Sequence, residues 1–153
     1  MNSNSLKYKK KVSALILRKS IQGYDELLTH AFDFDPSIPL RLPGGTIEAD
    51  ETPEQALYRE ILEESGLEQL QLLRKIGIHH YYKPYLKANV ERHDFLLRVA
   101  PTTADKWNYL VSGSGGDAGI IFCWGWVCAK DLSLMAEELR TFVTPEYIPE
   151  LFR

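Results

Sequence analysis

The sequence predicts a single mixed α/β domain, and three observations support this. Several apolar runs have the length and alternation of β-strands. One segment between them carries a complete set of helix start and stop signals, and a second helical pattern lies near the C-terminus. A length of 153 residues suits one domain with a substantial core. Strands, a well-marked helix, more strands and a C-terminal helix are typical of a mixed α/β domain.

The strands are predicted from apolar content and from the turn residues between them. They cover residues 11–18, 25–32, 70–82, 89–99 and 119–129, and residues 35–39, with two prolines, are predicted to be a turn or loop. The stretch 101–118 contains a Gly-Ser run, and a connection that long in a compact domain is usually functional or mobile. We expect a loop there that closes over a bound substrate as a lid carrying Trp107, Tyr109 and Asp117. The alternative is a surface excursion with Trp107 packed on the domain edge.

The central helix has the clearest local signals in the chain. Thr52-Pro53-Glu54-Gln55 forms a capping box with proline at the first helical position. Gly66 supplies a residue that accepts the left-handed conformation in which many helices end. The helix is therefore predicted over residues 53–65. Two further helices are predicted near the C-terminus, at residues 131–140 and 145–152.

Charge and apolar content argue against several classes of partner. The net charge of -3 gives no support to a nucleic-acid surface, and it disfavours an anionic substrate unless a cation intervenes. No apolar run approaches the roughly 20 residues that span a bilayer, and no small-residue cleavage site follows residues 12–17. Cys123 and Cys128 lie about five strand residues apart, too far to bridge each other. We expect a cytoplasmic protein with free thiols, no membrane partner and no nucleic-acid partner.

Three glutamates on the central helix point to a divalent cation. Glu60, Glu63 and Glu64 fall within an arc of about 100° on one side of the helix. A solvated acidic face usually interleaves lysine or arginine, whereas Glu60 and Glu64 form a like-charge pair that costs roughly 0.2–0.5 kcal/mol. A hard ion such as Mg²⁺ relieves this crowding and bridges an acidic protein to an anionic substrate. The Gly44-Gly45 pair just before the helix is either a plain turn or a point where the backbone approaches a ligand.

These residues complete a pattern that resembles the signature of the Nudix hydrolase family, G-x5-E-x7-R-E-U-x-E-E-x-G-U, where U is bulky and aliphatic. The pattern begins at Gly45, reaches Glu51 after five residues, and ends in the run from Arg59 to Leu67. Every fixed position is filled. The resemblance implies an α/β/α sandwich with a mixed β-sheet, formed by one domain over residues 1–153 in which residues 1–8 are expected to be flexible.

The resemblance also implies roles for individual residues. Glu60, Glu63 and Glu64 would bind Mg²⁺, which Mn²⁺ could replace, and the carbonyl of Gly44 resembles a backbone ligand in some members. Arg59 would hold Glu51 and the carboxylates in place. The metal would activate a water that attacks one phosphorus of a P–O–P link. Glu63 or Glu64 could accept its proton, as could three acids outside the signature: Glu91, Asp94 and Asp117. Arg41, just before the glycine pair, is a candidate for binding phosphate.

The implied activity is hydrolysis of a nucleoside diphosphate linked to another moiety. Nucleoside triphosphates, ADP-ribose, nucleotide sugars and dinucleoside polyphosphates all remain candidates. Pro84 and Tyr85 fall near the spacings that mark ADP-ribose cleavers and dinucleoside-polyphosphate cleavers respectively, so neither decides. Base stacking could use several aromatic residues: Tyr81, Tyr82, Tyr85, Trp107 and Tyr109.

Two rival functions share the implied fold. A nucleotide-binding sensor that cuts nothing usually lacks glutamates of the signature, and this chain keeps all of them. An isomerase acting on an isoprenoid diphosphate needs a reactive cysteine, and Cys123 lies in an apolar run. The sequence therefore favours an enzyme acting on a small nucleotide. A homodimer is one option that the sequence leaves open.

Overall fold

The computed structural model describes residues 8–153 of the chain. The expected flexible segment at residues 1–8 falls almost wholly on residues 1–7, which lie outside the described residues. The strands and the α-helix follow in this order: β1 (Tyr8–Lys19), β2 (Asp25–Phe32), β3 (Gly44–Thr46), α1 (Pro53–Ser65), β4 (Gln71–Lys83), β5 (Ala88–Arg98), β6 (Trp107–Leu110) and β7 (Ile121–Val127). Four short 3₁₀ helices complete the fold: Pro84–Leu86, Ala129–Leu134, Glu137–Leu139 and Pro149–Phe152.

One mixed sheet of seven strands organises the domain; the family resemblance implies a mixed sheet, whereas β3 and β6 were not among the predicted strands. Its strand order is β4-β5-β1-β2-β7-β6, and the short β3 pairs with β1 beside this path. β1 and β5 run parallel, and the other pairs are antiparallel. β1 lies at the centre and is buried from Val12 to Arg18. An apolar run buried on both faces explains why this strand is clear in the sequence.

The two faces of the sheet carry separate parts of the core. On one face, α1 packs its buried Ala56, Leu57 and Ile61 in a cluster with Val12 and Ala14 of β1. On the other face, the C-terminal segments cover a second cluster of buried residues: Leu15, Leu17, Leu27, Met135, Leu139, Ile148 and Leu151. The mixed α/β fold with covered sheet faces is confirmed. α1 is thereby fixed against β1.

The caps of α1 form as predicted. The side chain of Thr52 accepts a hydrogen bond from the Gln55 backbone N–H at 3.1 Å, and the Gln55 side chain accepts one from the Thr52 N–H at 2.9 Å. Gly66 ends the helix with φ of 78°, in the left-handed region where other residues are strained. These local interactions fix both ends of the helix that carries the glutamates.

The predicted α-helices near the C-terminus are wrong in type. Residues 131–140 form two 3₁₀ helices separated at Met135, and in the last segment only Pro149–Phe152 is helical. The break occurs because the backbone around Met135 bonds to Leu40: the Leu40 N–H donates to the Leu134 carbonyl, and the Ala136 N–H donates to the Leu40 carbonyl. Pro149 has no N–H and cannot lie inside a longer helix. Tertiary pairing thus overrides the helical pattern.

The predicted long loop over residues 101–118 is also wrong in part. Residues Trp107–Leu110 form β6, which pairs with β7 so that Trp107 faces Trp124 and Tyr109 faces Phe122.

Cys123 and Cys128 are both free, as predicted. Among residues 8–153, no helix is long and apolar enough to cross a membrane.

His30 on β2 is a buried imidazole whose Nδ1 has no hydrogen-bond partner within residues 8–153. Only 3% of its surface is exposed, and its ring stacks on Phe122 with centroids 3.7 Å apart. Burial, assisted by the charge of Arg41, lowers the pKa of His30 to about 3, although a backbone hydrogen bond to Ala31 opposes the shift. The folded protein therefore holds this residue neutral.

We expect His30 to make the protein sensitive to acid. Between pH 6.5 and about 3 the unfolded chain protonates this histidine and the folded chain does not, so the free energy of unfolding falls as the pH is lowered. His30→Phe should flatten that fall by up to about 1.4 kcal/mol per pH unit. Urea unfolding of both proteins at several pH values measures the difference. Curves that stay parallel from pH 7 to pH 4 would contradict the assignment.

Candidate active site

The glycine pair before α1 lies in a strand, which corrects the predicted turn. Gly44 pairs with Ser13 and Gly45 with Val12 in the antiparallel ladder between β3 and β1. A Cβ on Gly44 would overlap the carbonyl oxygen of Val12, and a Cβ on Gly45 would overlap the carboxyl group of Glu60. Glycine is required at position 44, where the obstacle is the backbone of β1, whereas a Cβ at position 45 would displace the end of the Glu60 side chain. The backbone of β3 therefore lies in direct contact with a side chain of α1.

The three glutamates of α1 lie on one side of the helix and line one cavity, as the helical spacing predicts. Glu64 is 5% exposed and accepts a hydrogen bond from the Gly44 N–H at 2.9 Å. Glu60 lies against Gly45, and Glu63 lies against Gly113 in the connection between β6 and β7. The carboxylates are thus held between β3 and that connection.

Arg59 ties the carboxylates to one another. Its Nε donates to Glu51 at 2.5 Å, and its two terminal nitrogens contact Glu51, Glu60 and Glu63 at 2.8, 2.9 and 3.2 Å. It also donates to the Thr46 carbonyl at 3.0 Å, which links the network to β3. Arg59 thus contacts two of the three glutamates, Glu51 and the backbone of β3 at once.

The cluster remains short of positive charge despite Arg59. Burial raises the pKa of Glu60 to about 7, although Arg59 opposes the shift. Burial also raises the pKa of Glu64 well above its ordinary value, and the charges of Glu60, Asp117 and Glu63 raise it further. A cation at this place would stabilise the ionised carboxylates.

Two adjoining cavities open beside the cluster. The larger, of about 380 Å³, is lined by Glu60, Glu63 and Glu64. The smaller, of about 140 Å³, is lined by basic and aromatic side chains: Arg41, Lys83, Arg92, Tyr81 and Phe122. Five residues line both cavities, so the two form one cleft: Lys11, Gly44, Gly45, Glu64 and Asp117. Arg41, proposed from the sequence to bind phosphate, lies in this cleft.

Comparison with known proteins identifies the family. The family model described as NUDIX domain matches residues 7–147 of the chain. The chain belongs to the Nudix family.

Individual relatives resemble parts of this Nudix chain or its fold. The RNA pyrophosphohydrolase of Bartonella tribocorum is 42% identical over 55 residues, which are 36% of this chain and only 31% of that protein. The E. coli dihydroneopterin triphosphate pyrophosphohydrolase has a TM-score of 0.66 and 18% identity, over 95% of this chain and 99% of its own. A binary complex of the C. elegans Ap4A hydrolase has a TM-score of 0.63 and 20% identity, over 84% of this chain and 88% of its own. The two structures share the Nudix fold.

The structure separates the three acids considered as a base outside the Nudix signature. Asp117 lines both cavities. Glu91 is bonded to His80 at 3.1 Å and to His93 at 2.9 Å, and it lines neither cavity. Asp94 is fully buried and accepts two hydrogen bonds from Arg92, at 2.7 and 3.1 Å. Asp117 is therefore the one of the three that a bound substrate could reach.

The aromatic candidates also divide. Tyr81 lines the smaller cavity and the highly exposed Tyr85 lines the larger, whereas Tyr82 lines neither. Trp107 donates from Nε1 to the Ser65 carbonyl at 2.9 Å, and Tyr109 packs against Gly66. The last two support the C-terminal end of α1. The predicted lid role is wrong for Trp107 and Tyr109, because both belong to β6.

Three basic residues of the cleft were not among the site residues predicted from the sequence. Lys11, Lys83 and Arg92 come from β1, β4 and β5, and they meet because Lys11 pairs with Arg92 across the parallel β1–β5 ladder. In the sequence, each of these cations lies inside a predicted strand or next to its end, where lysine and arginine usually face solvent. Strand pairing decides their position.

We expect Glu64→Gln to stabilise the protein in the absence of divalent ions. The raised pKa means that the folded state favours the protonated carboxyl, so its contribution is present at low pH and is lost as the pH rises above about 4.5. Glutamine keeps the acceptor for the Gly44 N–H and removes the buried charge. Thermal melting at pH 8 in chelator should show a higher Tm than the wild type.

The exposed Glu68→Gln variant is the matched control for that measurement. Its Tm should stay close to that of the wild type. A Glu64→Gln protein that melts at or below the wild-type temperature would show that the buried charge costs no stability.

Proposed function

We propose that this chain is an Mg²⁺-dependent hydrolase that cleaves the diphosphate linkage of a nucleoside diphosphate bonded to another moiety. The observation that carries the proposal is the set of three Nudix glutamates at the wall of an open cleft, two of them bonded to Arg59 and the third to the Gly44 N–H. Membership of the Nudix family supports it. The named relatives support a pyrophosphohydrolase reaction, since one is an RNA pyrophosphohydrolase and another acts on dihydroneopterin triphosphate.

The donor groups of the cluster suit a hard divalent ion. All are oxygen atoms: the carboxylates of Glu60, Glu63 and Glu64, with the carbonyl of Gly44 as a further proposed ligand. Within residues 8–153 no three acidic, histidine or cysteine side chains are already arranged around a metal position. Arg59 contacts Glu60 and Glu63, so these side chains would turn from it towards the ion. Bound Mg²⁺, or Mn²⁺ in its place, would lower the pKa of the attacking water and neutralise the phosphate charge.

The chain's own residues would handle the proton and the orientation. Glu63 or Glu64 would accept the proton of the attacking water, and Asp117 is a third proposed base because it lines both cavities. Arg59 would keep the carboxylates in place through its bonds to Glu51 and Thr46. Arg41 would bind a phosphate oxygen from the smaller cavity.

The substrate is proposed to be a small nucleotide. Tyr85 lines the larger cavity, and Pro84, the alternative spacing marker, does not. This difference favours a dinucleoside polyphosphate over ADP-ribose, and an Ap4A hydrolase shares the fold. A screen should include nucleoside triphosphates, ADP-ribose, nucleotide sugars and dinucleoside polyphosphates. A 5′-triphosphorylated RNA belongs in it because one relative is an RNA pyrophosphohydrolase.

We expect hydrolysis of at least one of these compounds to require added Mg²⁺ or Mn²⁺. The cleft has an acidic wall, and phosphate cannot approach it without a cation. Release of phosphate or nucleoside monophosphate is measured with metal, with chelator, and after metal is restored. Full turnover in metal-stripped buffer would contradict the mechanism. Binding without any turnover would indicate a nucleotide sensor.

Glu64→Gln should lower kcat by about two or more orders of magnitude, as expected where a metal ligand or base is lost. Its folding is checked by the melting experiment above, so loss of activity cannot be confused with unfolding. Asp117→Asn tests the third base and should lower kcat by about two or more orders of magnitude if Asp117 takes the proton. Glu64→Gln with near-normal kcat would exclude Glu64 from the mechanism.

A further inference from the structure

The smaller cavity has a wall of four cations. Lys11 (β1), Arg41 (before β3), Lys83 (the end of β4) and Arg92 (β5) all line it. We call these residues the basic wall. Lys11 also lines the larger cavity, so this lysine lies between the basic wall and the glutamates of α1. The cleft therefore has an acidic side and a basic side, and the charged residues Lys11, Glu64 and Asp117 line both of its cavities.

Among residues 8–153, only two carboxylates form ion pairs with the basic wall. Asp94 forms an ion pair with Arg92 at 2.7 Å and balances the charge of that guanidinium. Arg41 and Lys83 share the single carboxylate of Glu138, at 3.3 and 2.5 Å. Lys11 has no ion pair with any residue from 8 to 153. Glu64 and Asp117 also line the smaller cavity, but among residues 8–153 neither forms an ion pair with any of the four cations.

The surroundings of Lys11 disfavour the charged form of its ammonium group. Burial lowers the pKa of Lys11, and the charges of Lys83, Lys9 and Arg41 lower it further. The charge of Glu138 opposes this shift, but no carboxylate among residues 8–153 forms an ion pair with the Lys11 ammonium group, so its charge is unfavourable there. An anion in the smaller cavity would reverse the sign of that interaction.

We propose that the basic wall binds a second phosphate of the substrate, beyond the linkage that is attacked at the glutamates, and that Glu138 holds Arg41 and Lys83 until this phosphate arrives. The inference rests on the proposed hydrolase function and narrows its substrate class. A polyphosphate chain, as in a nucleoside triphosphate or a dinucleoside polyphosphate, reaches both sides of the cleft with charged groups. A nucleotide sugar places a neutral ring where the basic wall needs an anion.

The chemistry of the wall suits phosphate oxygens. The Arg41 guanidinium can donate two parallel hydrogen bonds, and lysine acts as a compact point charge. Glu138 contacts Arg41 and Lys83 through one carboxylate oxygen and does not line the cavity, so it competes with a ligand for both cations without occupying the ligand's place. Glu138 therefore weakens anion binding and prevents the wall from repelling itself when empty.

Inorganic pyrophosphate is the probe, titrated calorimetrically into the whole protein in chelator, so that neither hydrolysis nor metal is involved. Lys11→Met keeps most of the side-chain length and should weaken binding by about tenfold or more, because a charged hydrogen bond is lost. Glu138→Gln removes the competing charge and should tighten binding severalfold.

Lys10→Met is the matched control: Lys10 is the exposed neighbour of Lys11 on the same strand and lines neither cavity. It should change the Kd by less than about twofold, as is usual for an exposed charge.

The outcomes separate this proposal from the proposed function. Equal effects of Lys11→Met and Lys10→Met, or unchanged binding in Glu138→Gln, overturn the second phosphate site even if the enzyme hydrolyses nucleotides. The expected pattern with no hydrolysis of any nucleotide supports the phosphate site and overturns the hydrolase. If Lys11→Met fails to fold, Glu138→Gln alone decides, since tighter binding there requires the cations that Glu138 contacts.

Discussion

The burial of carboxylates against the β3 backbone is the constraint on which the rest of the site depends. The buried Glu64 accepts a hydrogen bond from the Gly44 N–H, and Glu60 fills the space that a side chain on Gly45 would need. This contact requires glycine in β3, a capped α1 and Arg59 as a local counter-ion. It also leaves Glu60 with a pKa of about 7, so the cluster is built for a cation that the protein's own side chains do not fully supply.

The cleft resolves the difficulty of an acidic protein with an anionic substrate. The net charge of -3 describes the whole chain, whereas the local field divides into the glutamates of α1 and the basic wall. Lys11 stands where the two meet. A metal on the acidic side and cations on the other would hold a phosphate chain from both ends. Overall charge is therefore a poor guide to binding here.

The sequence predicts what local interactions determine. The helix with its caps, the arc of three glutamates and the spacing of the Nudix signature lie within one short segment, so the sequence alone located them. Non-local pairing determines the rest. β6 depends on β7, the C-terminal 3₁₀ helices depend on bonds to Leu40, and Lys11 meets Arg92 only through the parallel β1–β5 ladder. No local pattern encodes those contacts, which explains both the wrong elements and the missed cations.

The most direct test of the account is the affinity of Mn²⁺ for Gly45→Ala, followed by the magnetic resonance signal of the free ion. The added Cβ overlaps only the end of a flexible glutamate side chain, so the fold should persist while the Glu60 carboxylate is displaced. The account predicts binding weaker by about tenfold or more, as for disturbed metal sites generally. Gly115→Ala, in the same cleft but facing open space, should bind Mn²⁺ like the wild type. Wild-type affinity in a folded Gly45→Ala protein would show that the contact between β3 and Glu60 does not build the metal site.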